Sequence, residues 1–591
     1  MAPVLLRLDE GLTMIVGLIF SLLTLVVPVV LVIWAVRRFS GRTGTPSADA
    51  HSVRRFFQYL LLYVLMIVTA VGLAELLGLL FAAPSLAGGD RTTLARALTF
   101  TVFGLPMFAL LAAWSRRRLQ QDPDEAGSLG WAFYITAGPL TALVVAMVAL
   151  HSVVSTGLAD QRLDAGALSQ LVVWAGVWLA HWIVAGRLLA ADRRQVQLAL
   201  GSLIGLATTV AGLVLLLGAS VDTLLVDEAS TLLVGRQAPL AEAAATVVVG
   251  VPVWVVYWWR GLAASNRSAL WFGYVLLAGV GGSLVLAVVG ASVALYQVLV
   301  WVAGEPSSTQ AAVHFEGTAT AAACVVVGGV TWWYHQQMLA AATPERSEVA
   351  RFYEYLMSGI ALLAAAVGIT LVVVALVESL VPVAAVEVGT SVANSLLAGV
   401  TLLLVGGPLW WVFWSRVRRQ TRDGDPEELA SPTRRIYLFV LFGLGGVAAV
   451  VAVLVAAFLG IQGTLEDGFD SQVVRDMRLP VAILLATGAV SGYHWTIYRD
   501  DRSRLPAPAA RRGPRFILLI GAPDDAVRRV VERLTGARVD LWVRTDGLAV
   551  PWVVDDVVAA VRASEADAVT VVAGPMVMGP AGLETLGMTR P

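Results

Sequence analysis

The chain has 591 residues, of which 58% are apolar and 14% charged, and the single cysteine, Cys324, excludes an intrachain disulfide or a multi-cysteine metal site. Soluble chains carry about 25% charged residues, so this one has too little polar surface to cover a water-soluble core of its length. All 41 basic residues are arginine, and a formal net charge of −1 gives no electrostatic reason to expect nucleic acid.

From the N-terminus, Gly11 to Trp34 is an apolar run of 24 residues. That length suffices to cross the ~30 Å hydrocarbon layer at about 1.5 Å per residue. Arg37 and Arg38 follow it and no small-residue cleavage site is visible, so it reads as a retained span and not as a signal peptide. Twelve further segments of spanning length begin near Phe56, Leu94, Leu129, Leu168, Leu198, Leu240, Leu270, Thr318, Phe352, Val388, Ile436 and Leu479. Arginine placement agrees with thirteen spans. With the N-terminus outside, 26 arginines fall on the inner side up to Arg512 and 7 on the outer side, which is the bias expected of cytoplasmic loops. The fold class read from these runs is an all-α polytopic membrane protein with a small C-terminal α/β domain. Lipid is its first partner, and the bacterial inner membrane its expected location, with the C-terminus in the cytoplasm.

After the first span the chain reads as a two-helix unit used six times. Arg55-Phe56-Phe57-Gln58-Tyr59-Leu60 matches Arg351-Phe352-Tyr353-Glu354-Tyr355-Leu356, and Arg434-Arg435-Ile436-Tyr437-Leu438 is a looser copy. Trp131 to Tyr134 and Trp271 to Tyr274 keep the aromatics without the arginine. Gly250-x-Pro252-x-Trp254-x-x-x-Trp258 repeats as Gly406-x-Pro408-x-Trp410-x-x-x-Trp414, and Gly104-x-Pro106-x-Phe108 keeps the first half. Proline inside a span removes a backbone hydrogen bond, so alternate units are expected to bend alike. Arginine and aromatic side chains at inner helix ends suit a membrane boundary, and Arg55, Tyr59, Arg351, Tyr355, Trp254, Trp258, Trp410 and Trp414 are read as interface anchors.

The unit with Arg, aromatic and Tyr-Leu opening one span and a Trp/His-rich end closing the next resembles the bacterial membrane repeat called domain of unknown function 5671. The resemblance covers about Arg54 to Asp501 as six tandem copies. It implies a multi-spanning helical fold and brings no activity or site residues with it.

Ionisable residues deep in a membrane are functional candidates. Glu75 lies about a turn before the outer end of its span, and His181, His335 and His494 recur near inner helix ends beside tryptophan or tyrosine. These four form the candidate intramembrane polar site. No His-x-x-x-His spacing or catalytic constellation accompanies them, so no cofactor, metal or enzymatic activity is expected. The glycine clusters Gly279 to Gly282 and Gly443 to Gly446 lie inside apolar spans, where close helix packing explains them better than a phosphate loop.

Residues 1–53 thus form an N-terminal span and loop, 54–501 the six membrane repeats, 502–514 a polar linker, and 515–591 an α/β domain. In the last, strands are expected at Arg515 to Gly521, Ala537 to Val543 and Ala568 to Ala573, with helices at Asp524 to Thr535 and Trp552 to Ala563 and an edge strand near Leu583 to Met588. Asp524 and Asp525 suit a helix start and repel phosphate. The expected overall role is a non-enzymatic membrane scaffold or interaction protein whose tail meets a protein partner, with a transporter or channel as the alternative. Expressed alone from Gly513, the tail should be soluble, show mixed α/β circular dichroism and unfold cooperatively. An aggregated or disordered fragment would show that its fold depends on the membrane part.

Overall fold

The computed structural model describes residues 46–81, 91–189, 191–225, 237–342, 347–381, 391–422, 431–466, 468–504, 514–545, 549–564 and 566–574, with the dyads 577–578, 584–585 and 588–589. The expected span at Gly11 to Trp34 lies outside the described residues.

Ten helices among the described residues are long and apolar enough to cross a membrane. They are α1 (Arg54–Phe81), α2 (Arg91–Gln121), α3 (Leu129–Leu158), α4 (Ala165–Leu188), α5 (Arg193–Leu224), α6 (Pro239–Leu262), α7 (Ala269–Ala303), α9 (Glu348–Leu380), α10 (Val392–Thr421) and α11 (Pro432–Glu466). Between and after them stand α8 (Thr318–Ala342) and α12 (Arg478–Arg504), helices of 25 and 27 residues. All twelve expected places after the first span are therefore helical. The chain divides into two compact units, Met1–Tyr493 and His494–Pro591, with the break inside α12.

The helices fall into three groups of four, α1–α4, α5–α8 and α9–α12. In each group the first two helices cross at reciprocal small residues in one register. Gly72 of α1 meets Thr101 of α2, and Gly104 of α2 meets Thr69 of α1. The same positions pair Gly212 with Val247 and Gly250 with Thr209, then Gly368 with Leu403 and Gly406 with Ala365. A Cβ on Gly250 would stand 2.6 Å from the Thr209 amide nitrogen, so only glycine lets the backbones approach this closely. Such close approach gives dense atomic contact between apolar helices.

The proline helices are not regularised alike. In α2 a π turn, Phe100–Gly104, precedes Pro106, and in α6 a π turn, Val255–Leu262, follows Pro252, whereas α10 runs as α-helix through Pro408. A third π turn, Tyr274–Gly282, lies in α7.

The second unit carries a parallel sheet of β1 (Phe516–Gly521), β2 (Arg538–Arg544) and β3 (Ala568–Val572) in the order β3-β1-β2. Helices α13 (Asp525–Thr535) and α14 (Val554–Ala563) supply Val527, Val531, Val557 and Val561 to one core with Ile517, Leu519, Val539 and Leu541. These sheet residues alternate along their strands, so both helices cover the same face. Asp524 caps α13 by accepting from the amides of Ala526 and Val527, and Gly536 closes it with a positive φ of 66°. Two dyads, β4 (Val577–Met578) and β5 (Glu584–Thr585), pair with each other, and β6 (Met588–Thr589) adds antiparallel to the β2 edge.

Replacing Gly250 with Leu should separate α5 from α6 and lower the thermal midpoint of the detergent-solubilised protein by several degrees. Gly407, whose Cβ position is open, should accept the same change with little effect. Equal midpoints for the two variants would refute the crossing as the limiting contact.

Candidate functional site

The N-terminal start of each group's first helix is tied to the connection between its second and third helices, by different chemistry each time. In the first group Arg55 donates from Nε to Glu125 Oε2 at 2.8 Å and from Nη2 to Asp122 Oδ2 at 2.7 Å, while Arg54 Nη2 stands 3.5 Å from the same Glu125 oxygen. The Glu125 side chain is fully buried, which makes this pairing costly to break on one side. In the second group the position of Arg55 is Gln195, whose Nε2 donates to Ser265 Oγ and to the Asn266 carbonyl. In the third, Arg351 pairs with Glu348 at 2.6 Å, and Glu348 Oε2 accepts from Ser431 and Thr433. Sequence reasoning found Arg55 and Arg351 but missed Asp122, Glu125 and Glu348. The signal for the connection was local: Ser128 and Ser268 cap α3 and α7 by accepting from the amides of Trp131 and Trp271, and Ser431 holds the same place before Arg434.

The residues read as interface anchors are turned into protein. Tyr59, Trp258 and Trp414 are less than 2% exposed, Arg351 and Tyr355 are buried, and Arg55, Trp254 and Trp410 are half-buried. Several of their polar atoms meet partners on other helices, whereas Trp410 Nε1 is buried without a hydrogen-bond partner. Trp258 Nε1 donates to Tyr334 Oη at 2.9 Å, and at the matching positions Trp414 Nε1 donates to Tyr493 Oη at 2.8 Å. In both cases the tyrosine directly precedes the repeated histidine. The first group has Ala112 and Ala180 at these two places, so donor and acceptor are lost together and no buried partner is stranded. Arg434 Nη1 donates to Tyr355 Oη at 2.9 Å, and Trp254 Nε1 to Tyr274 Oη at 2.9 Å.

Glu75, His181 and His335 are not brought together. Glu75 forms a two-pronged ion pair with Arg96 of α2, at 2.6 and 3.1 Å. His181 and His335 lie in separate groups, and His494 is fully buried in the second unit. In His181, Nδ1 meets the Val177 carbonyl at 2.8 Å, so Nδ1 carries the proton and Nε2 accepts from the Tyr134 hydroxyl at 2.9 Å. His335 Nδ1 likewise donates to the Thr331 carbonyl at 2.9 Å. Its ring is enclosed by Trp254, Trp258, Tyr274 and Tyr334, and its buried Nε2 has no hydrogen-bond partner.

The π turn in α7 explains how the two histidine sites stay alike. Gly138 follows Tyr134 by four residues, and both face His181. Gly279 follows Tyr274 by five, and the wider i to i+5 turn keeps both on His335 despite the extra residue. The imidazole of His335 sits directly where a Gly279 side chain would be. The clusters at Gly279 and Gly443 therefore differ, since Gly443 and Gly446 meet nothing within 4 Å. Among the described residues no three His, Cys, Asp or Glu side chains are grouped to hold a metal.

Fold and site together define a helical repeat protein whose polar and aromatic groups join helices. The family of the domain of unknown function DUF5671 matches residues 55–166, 195–330 and 351–489, and the chain belongs to that family. The matches are three, each starting on the first helix of a four-helix group, where the two-helix reading counted six copies. No curated protein and no solved structure matches the chain.

Changing Tyr134 to Phe should leave His181 Nε2 without its donor and cost ~1–3 kcal/mol of stability. Gly279→Ala should cost a similar ~1–3 kcal/mol by overpacking, while Gly443→Ala should be neutral. Unfolding midpoints of the three variants measure this, and a harmless Gly279→Ala would contradict the close seat of His335.

Proposed function

We propose that the protein is a multi-pass scaffold of the bacterial inner membrane, non-enzymatic, with thirteen spans, its N-terminus outside, and its C-terminal α/β unit in the cytoplasm as a module for a protein partner. The observation that carries this reading is the use of the repeated positions. Arg55 and Gln195 bind the connections between helices, Arg351 pairs with Glu348 of its own helix, and Trp258 and Trp414 donate to neighbouring helices, which builds a rigid frame. The sheet unit, with its own core, suits presentation on the cytoplasmic side.

A second reading, a transporter or channel with a site between repeats, is favoured by one observation. His335 Nε2 is a buried acceptor without a partner where two helices carry π turns, and π turns recur at functional sites.

Reporter fusions after Arg118, Arg260 and Arg422 should all report cytoplasm, and a periplasmic signal from any of them breaks the thirteen-span count. Sealed vesicles holding the purified protein and a pH-sensitive dye should leak protons no faster than empty vesicles. A leak abolished by His335→Gln would replace the scaffold reading with the second one.

A further inference from the structure

Among the contacts that join the three four-helix groups, one is repeated with most residues: the third helix of a group packs on the second helix of the next. Thus α3 packs on α6, and α7 packs on α10. On the donor side the matching residues are Leu143 and Met147 of α3 and Leu284 and Val288 of α7, all buried in the largest core. On the acceptor side that core takes in Val249 and Val253 of α6 and Val405 and Leu409 of α10. Counted from the tyrosine and proline that mark each group, the equivalents at the two ends of the array are Gly446 and Val450 on α11, and Phe103 and Met107 on α2.

These end positions are uncovered. Phe103 is 66% exposed and Met107 53%. Val450 is 59% exposed, and a Cβ on Gly446 would meet nothing within 4 Å. The two end helices are also the least buried of the ten, 11% each over their most apolar windows, against 22% for α7 and α10. Sizes are complementary, since α2 presents a phenylalanine and a methionine where α11 presents a glycine and a valine.

We propose that the chain associates head to tail with a second copy of itself, α11 of one molecule packing on α2 of the next in the way α3 packs on α6. The interface is heterologous, so successive copies close a ring or extend a row. It continues a contact the chain already makes twice, and it covers the two unmatched ends that any linear repeat array leaves. The proposal rests on the membrane reading only for the medium surrounding these faces, and the reporter fusions test that reading separately.

The experiment uses the full chain in a Cys324→Ser background, with Phe103→Cys in one tagged chain and Val450→Cys in a second, differently tagged chain. Both sites are exposed, so neither change disturbs the fold. Co-expressed in membranes and oxidised, the pair should give a crosslinked heterodimer at least tenfold above either single variant alone. Adding Gly446→Trp to the second chain should abolish it. Native mass measurement of the unmodified protein should show more than one chain per particle. The proposal is overturned if the particle is a single chain, or if Phe103→Cys crosslinks to itself as well as to Val450→Cys. It is equally overturned if a cysteine placed within Gly11 to Trp34 captures either site inside one chain, which would make that segment the cover.

Discussion

Close approach of two helix backbones is the contact on which the membrane-length part of this protein depends. Between these apolar helices attraction comes from dense atomic contact and from hydrogen bonds. The reciprocal glycine crossings of α1 with α2, α5 with α6, and α9 with α10 provide the first. They set the register of each pair, and that register brings the starts of the first helices level with the connections that bind them.

Hydrogen bonds supply the second term, and the groups show how freely the chemistry changes when the geometry is kept. An arginine with two acids, a glutamine with a serine and a carbonyl, and a glutamate with two hydroxyls perform one task at one place. The Trp-to-Tyr bond is present in two groups and replaced by two alanines in the other. In the Trp-to-Tyr case donor and acceptor are kept or removed together, which avoids an orphan costing about 1–3 kcal/mol. His335 Nε2 is buried without a partner, as are Trp131 Nε1, Trp271 Nε1 and Trp410 Nε1, and of these it is the one on a titratable ring.

Much of the architecture was legible in the residues. Apolar runs placed the helices, because a span must be long and continuous, and α8 and α12 stand where Thr318 and Leu479 opened such runs. The α/β unit was legible too, since its strands and helices have different apolar periods and Asp524 and Gly536 mark the ends of α13. The repeat was seen, but its size was not: the Gly-x-Pro helices and the histidine helices alternate, and only the crossings show that two unlike pairs make one group. The anchor residues show what a sequence leaves open. Arginine, tryptophan and tyrosine at a helix end look the same in a sequence whether they meet headgroups or one another.

The sequence by itself determined that the chain is helical, apolar and repeated, with a separate mixed tail, since those follow from composition and period within single segments. Only the tertiary structure decided which groups meet. Glu75 with Arg96 and Tyr134 with His181 are pairings between helices, and Arg55 with Glu125 joins a helix to a connection, while the π turn in α7 keeps Tyr274 on His335. Such pairings depend on the angle and register at which helices cross, and no spacing along one helix encodes them.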